Sequence, residues 1–556
     1  MTELLVILVI ALVVIAGATV IGARLGIASP LVLVAVGVAA SFLPAFRDVN
    51  IESEWILAGI LPPLLYSSAV SMPAMNFRRE FGAISGLSVV LVVGSSLLLG
   101  LFFTLVIPGL DFAWGVALGA IISPTDAVAT SIIKKMPVSK RVIAMLDGES
   151  LLNDATALVI LRTAIVAVAA SFSFWGAVGT FAYSVVIAVV LGGLVGMLNL
   201  TVRKRVTDST VNTVISFAVP FVAAVPAELL GASGLVAAVV AGLVTGIRAP
   251  RVLSAQNRLS DTQNWRTVEL VLEGAIFLTM GLQIKSIVTN VEDDHAGIGV
   301  AALVAAGALV LTILIRAGYV AVLLRSLKSR ARHSEKMQDQ LEGMREKMST
   351  PGGNREAFGQ VNNRRRPASE RDLAVFARRV TQSLADIEYF RREPLGWRDG
   401  AAVVWAGMRG AVTVAAAQSL PEGIPMRSVL VFIAYTVAAL SLLIQGGTIA
   451  PLLRRIAPTV DHAAVEVSTN AERDRIIELM RASADALPAP DRPAGDPTPE
   501  YLLVAQEHYL TVLAAQRAAL LDARDNGTFD ADVLANALES LDASQIAIEL
   551  RGKPAR

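Results

Sequence analysis

Long apolar runs separated by short polar loops fill the first 458 residues of the chain. A run of about 20 apolar residues is long enough for a helix to cross the hydrocarbon core of a bilayer. The pattern therefore predicts an all-α polytopic membrane protein with about thirteen spans. Their approximate positions are 3–22, 29–46, 54–73, 82–107, 112–134, 141–169, 175–202, 209–227, 231–248, 267–288, 296–325, 398–420 and 426–452.

Two polar stretches stand apart from these spans. Residues 327–397 are polar and basic, and they predict a cytoplasmic loop inside the membrane domain. A basic loop beside a membrane can bind anionic lipid, although it is more often only a determinant of topology. After residue 458 the chain has the composition of a soluble segment with helical periodicity. We therefore expect a transmembrane domain at 1–458 and a helical cytoplasmic tail at 459–556.

Lysine and arginine are distributed unevenly between alternate loops. The basic loops hold Arg24, Arg78, Arg79, Lys134, Lys135, Lys140, Arg141, Arg203, Lys204, Arg205, Arg248, Arg251, Arg258, Arg266, Arg454 and Arg455. Because basic loops stay on the cytoplasmic side, the bias predicts a multi-pass protein of the cell membrane with its N-terminus outside and its C-terminus in the cytoplasm. No Lys or Arg precedes the first apolar run, so we interpret that run as a retained span and not as a cleaved signal peptide.

Composition narrows the function classes. The chain is 54% hydrophobic with a formal net charge of +1, which gives no indication of a nucleic-acid partner. It has no cysteine, and its four histidines lie outside the predicted spans, so a soft-metal site or a Ser–His hydrolase within the membrane is disfavoured. The absence of a phosphate-binding loop motif indicates an ion gradient and not ATP as the driving force. We expect no cofactor and no enzymatic activity.

Two of the predicted spans contain features that interrupt a helix. Pro124 removes a backbone N–H in the fifth span, and Gly407 and Gly410 flank Arg409 in the twelfth. If the seventh span is a connector, spans one to six and eight to thirteen form an inverted repeat in which these two spans correspond. Paired broken helices line the binding site in many secondary transporters. The alternative interpretation is a packing kink and a contact between small residues.

Several polar side chains lie within the apolar sixth span, in the stretch Asp147–Val159. Helical spacing places Asp147, Ser150 and Asp154 on one stripe. Glu149 and Asn153 form a second stripe beside it. Carboxylates in hydrocarbon are costly and usually mark a functional site.

Asp154 is the strongest candidate for ion binding. Desolvation favours its neutral form, so it could exchange a proton or, when ionised, hold a cation, but not both at once. Ser150, Thr125 and Asp126 add oxygen ligands, and such hard donors suit a monovalent metal ion such as Na⁺, Li⁺ or K⁺. The alternative is that Asp154 is a structural acid paired with an arginine.

Other intramembrane charges require partners. Arg409 stays charged, and Glu149 is its expected partner, which would leave Asp154 free for the ion. Glu273 could pair with Arg316, or Arg316 could extend toward the cytoplasmic face. We interpret Glu273 and Arg316 as mainly structural, with a possible accessory role.

Five motifs together resemble the monovalent cation:proton antiporters of the sodium/proton exchanger and NhaP type. They are I-S-P-T-D-A-V-A-T at Ile122–Thr130, D-G-E-S-L-L-N-D-A-T-A at Asp147–Ala157, G-M-R-G-A-V-T at Gly407–Thr413, L-P-P-L-L-Y at Leu61–Tyr66 and L-E-G-A-I-F-L-T-M-G at Leu272–Gly281. The resemblance implies a thirteen-helix inverted-repeat fold, a homodimer, and a core of helices that moves against a dimerisation domain.

The resemblance also implies roles for individual residues. Asp154 would carry the ion or the proton, with Ser150 and Thr125 helping to coordinate, and the Asn153–Asp154 pair would mark electroneutral exchange. Asp126 would lie where the broken helices cross. Glu149 and Arg409 would form the core ion pair. One departure concerns Ser67, because many members of the family have an acid at that position, so Ser67 offers at most a weak ligand.

The sequence thus predicts a secondary antiporter that exchanges cytoplasmic Na⁺, Li⁺ or K⁺ for H⁺ and contributes to pH homeostasis. Asp154 would be loaded by cation and proton in turn. The alternative from another class is a gated cation channel or ion sensor on the same scaffold.

Overall fold

The computed structural model describes residues 2–44, 52–136, 138–169, 174–293, 297–348, 350, 358, 369–424, 426–456, 462–490 and 498–551. Within these ranges the chain is helical and contains no β-strand. The predicted all-α polytopic class is therefore confirmed. The count of thirteen spans stays a prediction, since among the described residues nine helices are long and apolar enough to cross a membrane, with shorter apolar helices beside them.

Among the described residues, the N-terminal half of the membrane part contains eight α-helices. They are α1 (Thr2–Leu25), α2 (Ser29–Ser41), α3 (Leu61–Ser71), α4 (Ala74–Ser85), α5 (Val92–Val106), α6 (Phe112–Ile122), α7 (Val128–Ile133) and α8 (Lys140–Ala169). A π-helical turn, Trp55–Ile60, leads into α3. Pro62 and Pro63 follow it, and since proline donates no backbone N–H, the widened turn lies where the ordinary helical ladder cannot continue. A second π-helical turn, Gly86–Leu91, joins α4 to α5.

The remaining membrane helices follow in chain order. They are α9 (Phe174–Arg203), α10 (Ser209–Leu229), α11 (Gly234–Val252), α12 (Ala255–Leu282), α13 (Ile284–Asp293), α14 (Ile298–Met348), α16 (Trp397–Trp405), α17 (Ala411–Gln418), α18 (Arg427–Ser441) and α19 (Gly447–Ile456). Between α14 and α16 lies α15 (Glu370–Arg392). The C-terminal tail contains α20 (His462–Asp485), α21 (Pro499–Asn526) and α22 (Ala531–Arg551).

The two predicted helix breaks are both present. Helix α6 ends at Ile122 and α7 begins at Val128, with Pro124 between them. Helix α16 ends at Trp405 and α17 begins at Ala411, across the segment that contains Gly407 and Gly410. Each break is thus short, and each places the start of a new half-helix inside an otherwise apolar span.

Small residues allow the close packing of α5 against α6. A Cβ on Gly119 would overlap the backbone oxygen of Ser96, and one on Gly115 would lie 2.5 Å from the oxygen of Gly100. Backbones approach closely in membranes where such residues face each other. Helix α8 packs against α4 and α6, and Asn153 in its polar stretch contacts Thr125 in the first break.

The chain divides into two compact units. The first comprises Met1–Ala249, Ser260–Leu323 and Gly396–Pro458, and it contains both helix breaks. The second comprises Pro250–Leu259, Leu324–Leu395 and Thr459–Arg556. The assignment of domains at 1–458 and 459–556 remains a prediction.

The second unit has its own small core and a group of arginine–aspartate pairs. Ile476, Leu520, Ala523, Leu534 and Leu541 pack together where α20, α21 and α22 meet. Asp542 pairs with both Arg258, at 2.6 Å between Oδ1 and Nη2, and Arg517. Burial lowers the pKa of Arg517, and the neighbouring Arg258 acts in the same direction. The Asp542 carboxylate thus pairs with two guanidinium groups at once.

Candidate ion-binding site

The two helix breaks meet in the first unit. The backbone N–H of Asp126 donates to the carbonyl oxygen of Met408 at 2.7 Å. The second break is supported from α18 and the π-helical turn that follows it, where Ser441 Oγ accepts from the Arg409 N–H at 2.9 Å and donates to Gln445 at 2.6 Å. The segments that the sequence marks as interrupted are thus joined directly, backbone to backbone.

Asp126 binds the start of both half-helices that begin at this junction. Its carboxylate accepts from the N–H of Val128 at 3.0 Å, at the start of α7, and it also faces the N–H of Ala411, at the start of α17. The N-terminus of a helix carries unpaired N–H groups and partial positive charge, which a carboxylate stabilises. The structure therefore places Asp126 at the crossing and gives its oxygens partners there.

Asp154 lies beside the junction on α8. Its side chain is buried, and among the described residues no N–H or side chain forms a hydrogen bond or ion pair with its carboxylate. It lines a small, otherwise apolar cavity together with Pro124 and Leu158, and with Val412 and Ala416 of α17. Its carboxylate and that of Asp126 interact electrostatically. An unpaired acid in such a cavity can exchange a proton or accept a cation.

Two other members of the α8 stripe have partners elsewhere. Ser150 Oγ donates to the backbone oxygen of Asp147 at 3.0 Å, which leaves the Ser150 lone pairs available. The Asp147 carboxylate forms an ion pair with Lys134 Nζ at 3.0 Å, and the lysine is half exposed. Asp147 thus belongs to the basic end of the bundle, away from Asp154.

Asn153 and Thr125 connect α8 to the first break. Asn153 Nδ2 donates to both the backbone oxygen and Oγ1 of Thr125, each at 2.9 Å. Thr125 Oγ1 in turn donates to Glu149 Oε1 at 3.0 Å. Among the described residues Asp154 forms no hydrogen bond with Ser150 or Thr125, so the structure does not by itself assemble the predicted trio of Asp154, Ser150 and Thr125 around one point.

The predicted partner of Glu149 is wrong. Glu149 pairs with Arg316 of α14 through two contacts, and the Nη2–Oε2 distance is 2.8 Å. Arg409 instead donates to backbone oxygens, including that of Ile122 at 2.9 Å and that of Gly407. The physical reason is that a broken helix leaves carbonyls unpaired at its C-terminal end, and a guanidinium satisfies them.

This arrangement also excludes the Glu273–Arg316 pair, one of the two alternatives that the sequence leaves open for Arg316. Arg316 is occupied by Glu149 and by the backbone oxygen of Val403, to which its Nε donates at 2.9 Å. Glu273 of α12 has no hydrogen bond or ion pair among the described residues, but it interacts electrostatically with Asp126 and Glu269. An acid that was expected to be structural is therefore left unpaired.

Ser67 has a partner that sequence reasoning missed. Its Oγ donates to Glu269 Oε2 at 3.3 Å. Glu269 lies one helical turn before Glu273, and the i, i+4 spacing of two acids on α12 is the signal that could have identified it. Two buried ion pairs, Arg141 with Glu80 and Arg203 with Asp261, were also not anticipated.

The donor set at the junction is made of carboxylate, hydroxyl and carbonyl oxygens. Within the described part of the chain no group of three or more His, Asp or Glu residues is arranged as a polydentate metal centre. Such oxygen donors suit a hard cation better than a soft transition metal.

Comparison with known proteins supports this picture. A family model described as "Sodium/hydrogen exchanger, transmembrane" matches residues 8–344 and 373–455. A Na⁺/H⁺ exchanger of Mycobacterium bovis is 26% identical over 493 residues, which cover 85% of this chain and 79% of the relative. A Bacillus subtilis protein named as a sodium, potassium, lithium and rubidium/H⁺ antiporter is 30% identical over 278 residues, 48% of this chain and 41% of that protein.

The fold also has solved counterparts. The sodium proton antiporter MjNhaP1 of Methanocaldococcus jannaschii superposes with a TM-score of 0.55 at 16% identity. The alignment covers 82% of this chain and all of that structure. At this identity the likeness concerns the fold alone.

Proposed function

Because the chain belongs to the sodium/hydrogen exchanger family, a family of membrane transporters, we propose that it exchanges a monovalent cation for H⁺ with Asp154 as the carrier. The observation that carries the proposal is the unpaired, buried Asp154 carboxylate beside two joined helix breaks. A single acid that binds either a proton or a cation is sufficient for coupled exchange, since one occupant excludes the other.

The cation is Na⁺, Li⁺ or K⁺ in this proposal. The oxygen donors at the junction favour hard monovalent ions without selecting one of them. The name of the Bacillus subtilis relative includes sodium, potassium and lithium, which supports a broad specificity. Thr125, Ser150 and Asp126 supply further oxygens when the ion is bound, after local rearrangement around Asp154.

The charge balance of transport is electroneutral in this proposal. Asn153 next to Asp154 is neutral and is engaged with Thr125, so one ionisable group would alternate between one cation and one proton. The Glu149–Arg316 pair, buried at both members, compensates its own charges and holds α8 to α14.

The wider assignments rest on the charge bias of the loops and on the family resemblance. The protein lies in the cell membrane with its N-terminus outside and its C-terminus in the cytoplasm. It works as a homodimer by alternating access and exports cytoplasmic cation in exchange for protons, which contributes to pH homeostasis.

The deciding experiment uses everted membrane vesicles that contain the full-length protein and a fluorescent reporter of internal pH. Addition of Na⁺, Li⁺ or K⁺ should drive proton movement, and Asp154→Asn should reduce it to the level of vesicles without the protein. Asp111→Asn, an exposed acid at the start of α6, is the matched control and should retain the wild-type signal.

The same assay also tests the channel alternative. The family match names an exchanger, so a channel is not favoured. Cation flux that persists in Asp154→Asn without proton countermovement would refute coupled exchange and support a channel.

A further inference from the structure

Two carboxylates of α12, neither of which forms an ion pair among the described residues, form a line toward the ion-binding junction. Glu269 and Glu273 are one turn apart, about 6 Å along the helix axis, and therefore on one face. The carboxylates of Glu273 and Asp126 are close enough to repel each other, and so are those of Asp126 and Asp154. The line thus ends at a buried carboxylate that has no protein partner among the described residues.

The outer member of this line is held by a buried hydroxyl. Ser67 is 4% exposed, and its hydroxyl hydrogen is directed to Glu269 Oε2. Glu269 also interacts electrostatically with Lys134, Asp147 and Arg266, which lie at the basic end of the bundle. Lys134 is already paired with Asp147, and among the described residues Glu269 forms no ion pair of its own.

The arginines that could neutralise the inner member are occupied. Arg316 binds Glu149, and Arg409 binds the carbonyls of the breaks. A carboxylate in a membrane span without such a partner is seldom retained unless it interacts with something that passes. A monovalent cation fits this requirement, because it supplies positive charge beside the carboxylates of Glu269 and Glu273.

We propose that Glu273, with Glu269 positioned by Ser67, is an affinity-determining residue that draws the transported cation from the basic end of the bundle to Asp126 and Asp154. The inference rests on the proposed exchange function. Glu273 acts through its negative field and as a transient oxygen ligand, while Asp154 remains the carrier. Removing the Glu273 charge should weaken cation recruitment without abolishing the exchange step.

The test is Glu273→Gln in the vesicle assay, with initial rates measured over a range of Na⁺ and K⁺ concentrations. The apparent KM for the cation should rise about three- to tenfold with little change in maximal rate, because a nearby charge contributes to attraction in a medium of low dielectric. Glu273→Asp, which keeps the charge, should restore most of the affinity. Glu292→Gln removes the same charge from an exposed position of α13 and is the matched control.

A second measurement does not depend on transport. The midpoint of thermal unfolding of the purified protein should rise with Na⁺ or K⁺, and Glu273→Gln should need a higher concentration for the same rise. An unchanged KM and an unchanged thermal response in Glu273→Gln would overturn the inference. Equal impairment in Glu273→Gln and Glu273→Asp would also overturn it, since a structural role of the side-chain shape would then explain both.

The two proposals fail in different ways. If the wild type moves protons on cation addition, Asp154→Asn does not, and Glu273→Gln behaves as the wild type, only the inference about α12 is wrong. If the wild type moves no protons but shows a thermal response to the cation that Glu273→Gln weakens, the exchange function is wrong and cation recruitment stands.

Discussion

Gly410 lies against the side chain of Asp126, which leaves no room for a side chain at residue 410. A Cβ at this position would overlap Oδ2 of Asp126, the carboxylate that binds the starts of α7 and α17. The added Cβ would be fixed to the backbone, and the Asp126 side chain is short and held by its contacts at the junction. Neither atom can therefore move away at low cost. The absence of a side chain at residue 410 is therefore what allows Asp126 to reach both half-helices.

We predict that Gly410→Ala displaces the Asp126 carboxylate and destabilises the protein by about 1–3 kcal/mol, the usual range for overpacking a filled site. The midpoint of thermal unfolding in detergent should fall, and cation-driven proton movement should be lost or strongly reduced. Gly423→Ala is the control, since nothing lies within 4 Å of a Cβ built there. Equal stability of the two variants would contradict the assigned contact.

The sequence indicates candidate site residues, whose roles stay predictions, but it does not indicate how the buried charges pair. Asp154, Asn153, Thr125 and Asp126 were identified because polar groups in an apolar run are costly. The choice between Arg316 and Arg409 as partner of Glu149 was wrong because both are single arginines in apolar helices. Only the tertiary arrangement shows that Arg409 lies against unpaired carbonyls.

Among the helices, the breaks were the most predictable feature and the tail contacts the least. Proline at 124 and glycines at 407 and 410 act on the local backbone, so their effect can be inferred without knowledge of the fold. The pairs Arg258–Asp542 and Arg251–Asp522 join residues more than 270 positions apart, as shown by the separations of 284 and 271. No local pattern indicates such partners.

We predict that Asp542→Asn loosens the C-terminal helices of the second unit. The change leaves the guanidinium groups of Arg258 and Arg517 without their shared carboxylate, at 13% and 14% side-chain exposure. Loss of one partner of a buried pair costs about 3–5 kcal/mol. Hydrogen exchange in α21 and α22 should accelerate, measured by mass spectrometry on the full-length protein.

The control for this change is Asp474→Asn. Asp474 is an exposed acid of α20 and carries the same charge. If both substitutions accelerate exchange to the same extent, net charge and not the Asp542 pairs would be responsible.

For the whole molecule, the all-helical class followed from apolar run lengths, and the described chain agrees with it. Irregular turns within the spans, such as the π-helical turns at Trp55–Ile60 and Gly86–Leu91, were not anticipated, because they depend on how neighbouring helices and prolines compete for backbone bonds. Orientation in the membrane was predicted from loop charge alone and stays a prediction.

The orientation can be tested directly because the chain has no cysteine. Single cysteines introduced as Thr207→Cys and Asp111→Cys are exposed in loops that the charge bias assigns to opposite sides. In intact cells a membrane-impermeant maleimide should label Asp111→Cys and spare Thr207→Cys until the membrane is permeabilised. The reverse pattern would show that the N-terminus is inside.

The junction at Asp126 also has a mechanical consequence. Asp126 donates its N–H to Met408 in the opposite break, and its carboxylate faces the N–H of Ala411 at the start of α17, so separating the breaks would remove both interactions together. This junction therefore resists separation of the two breaks, but it does not resist movement of both breaks together. In the proposed alternating access, translation of the crossed segments as one body past their surroundings is therefore favoured over separation of the two breaks.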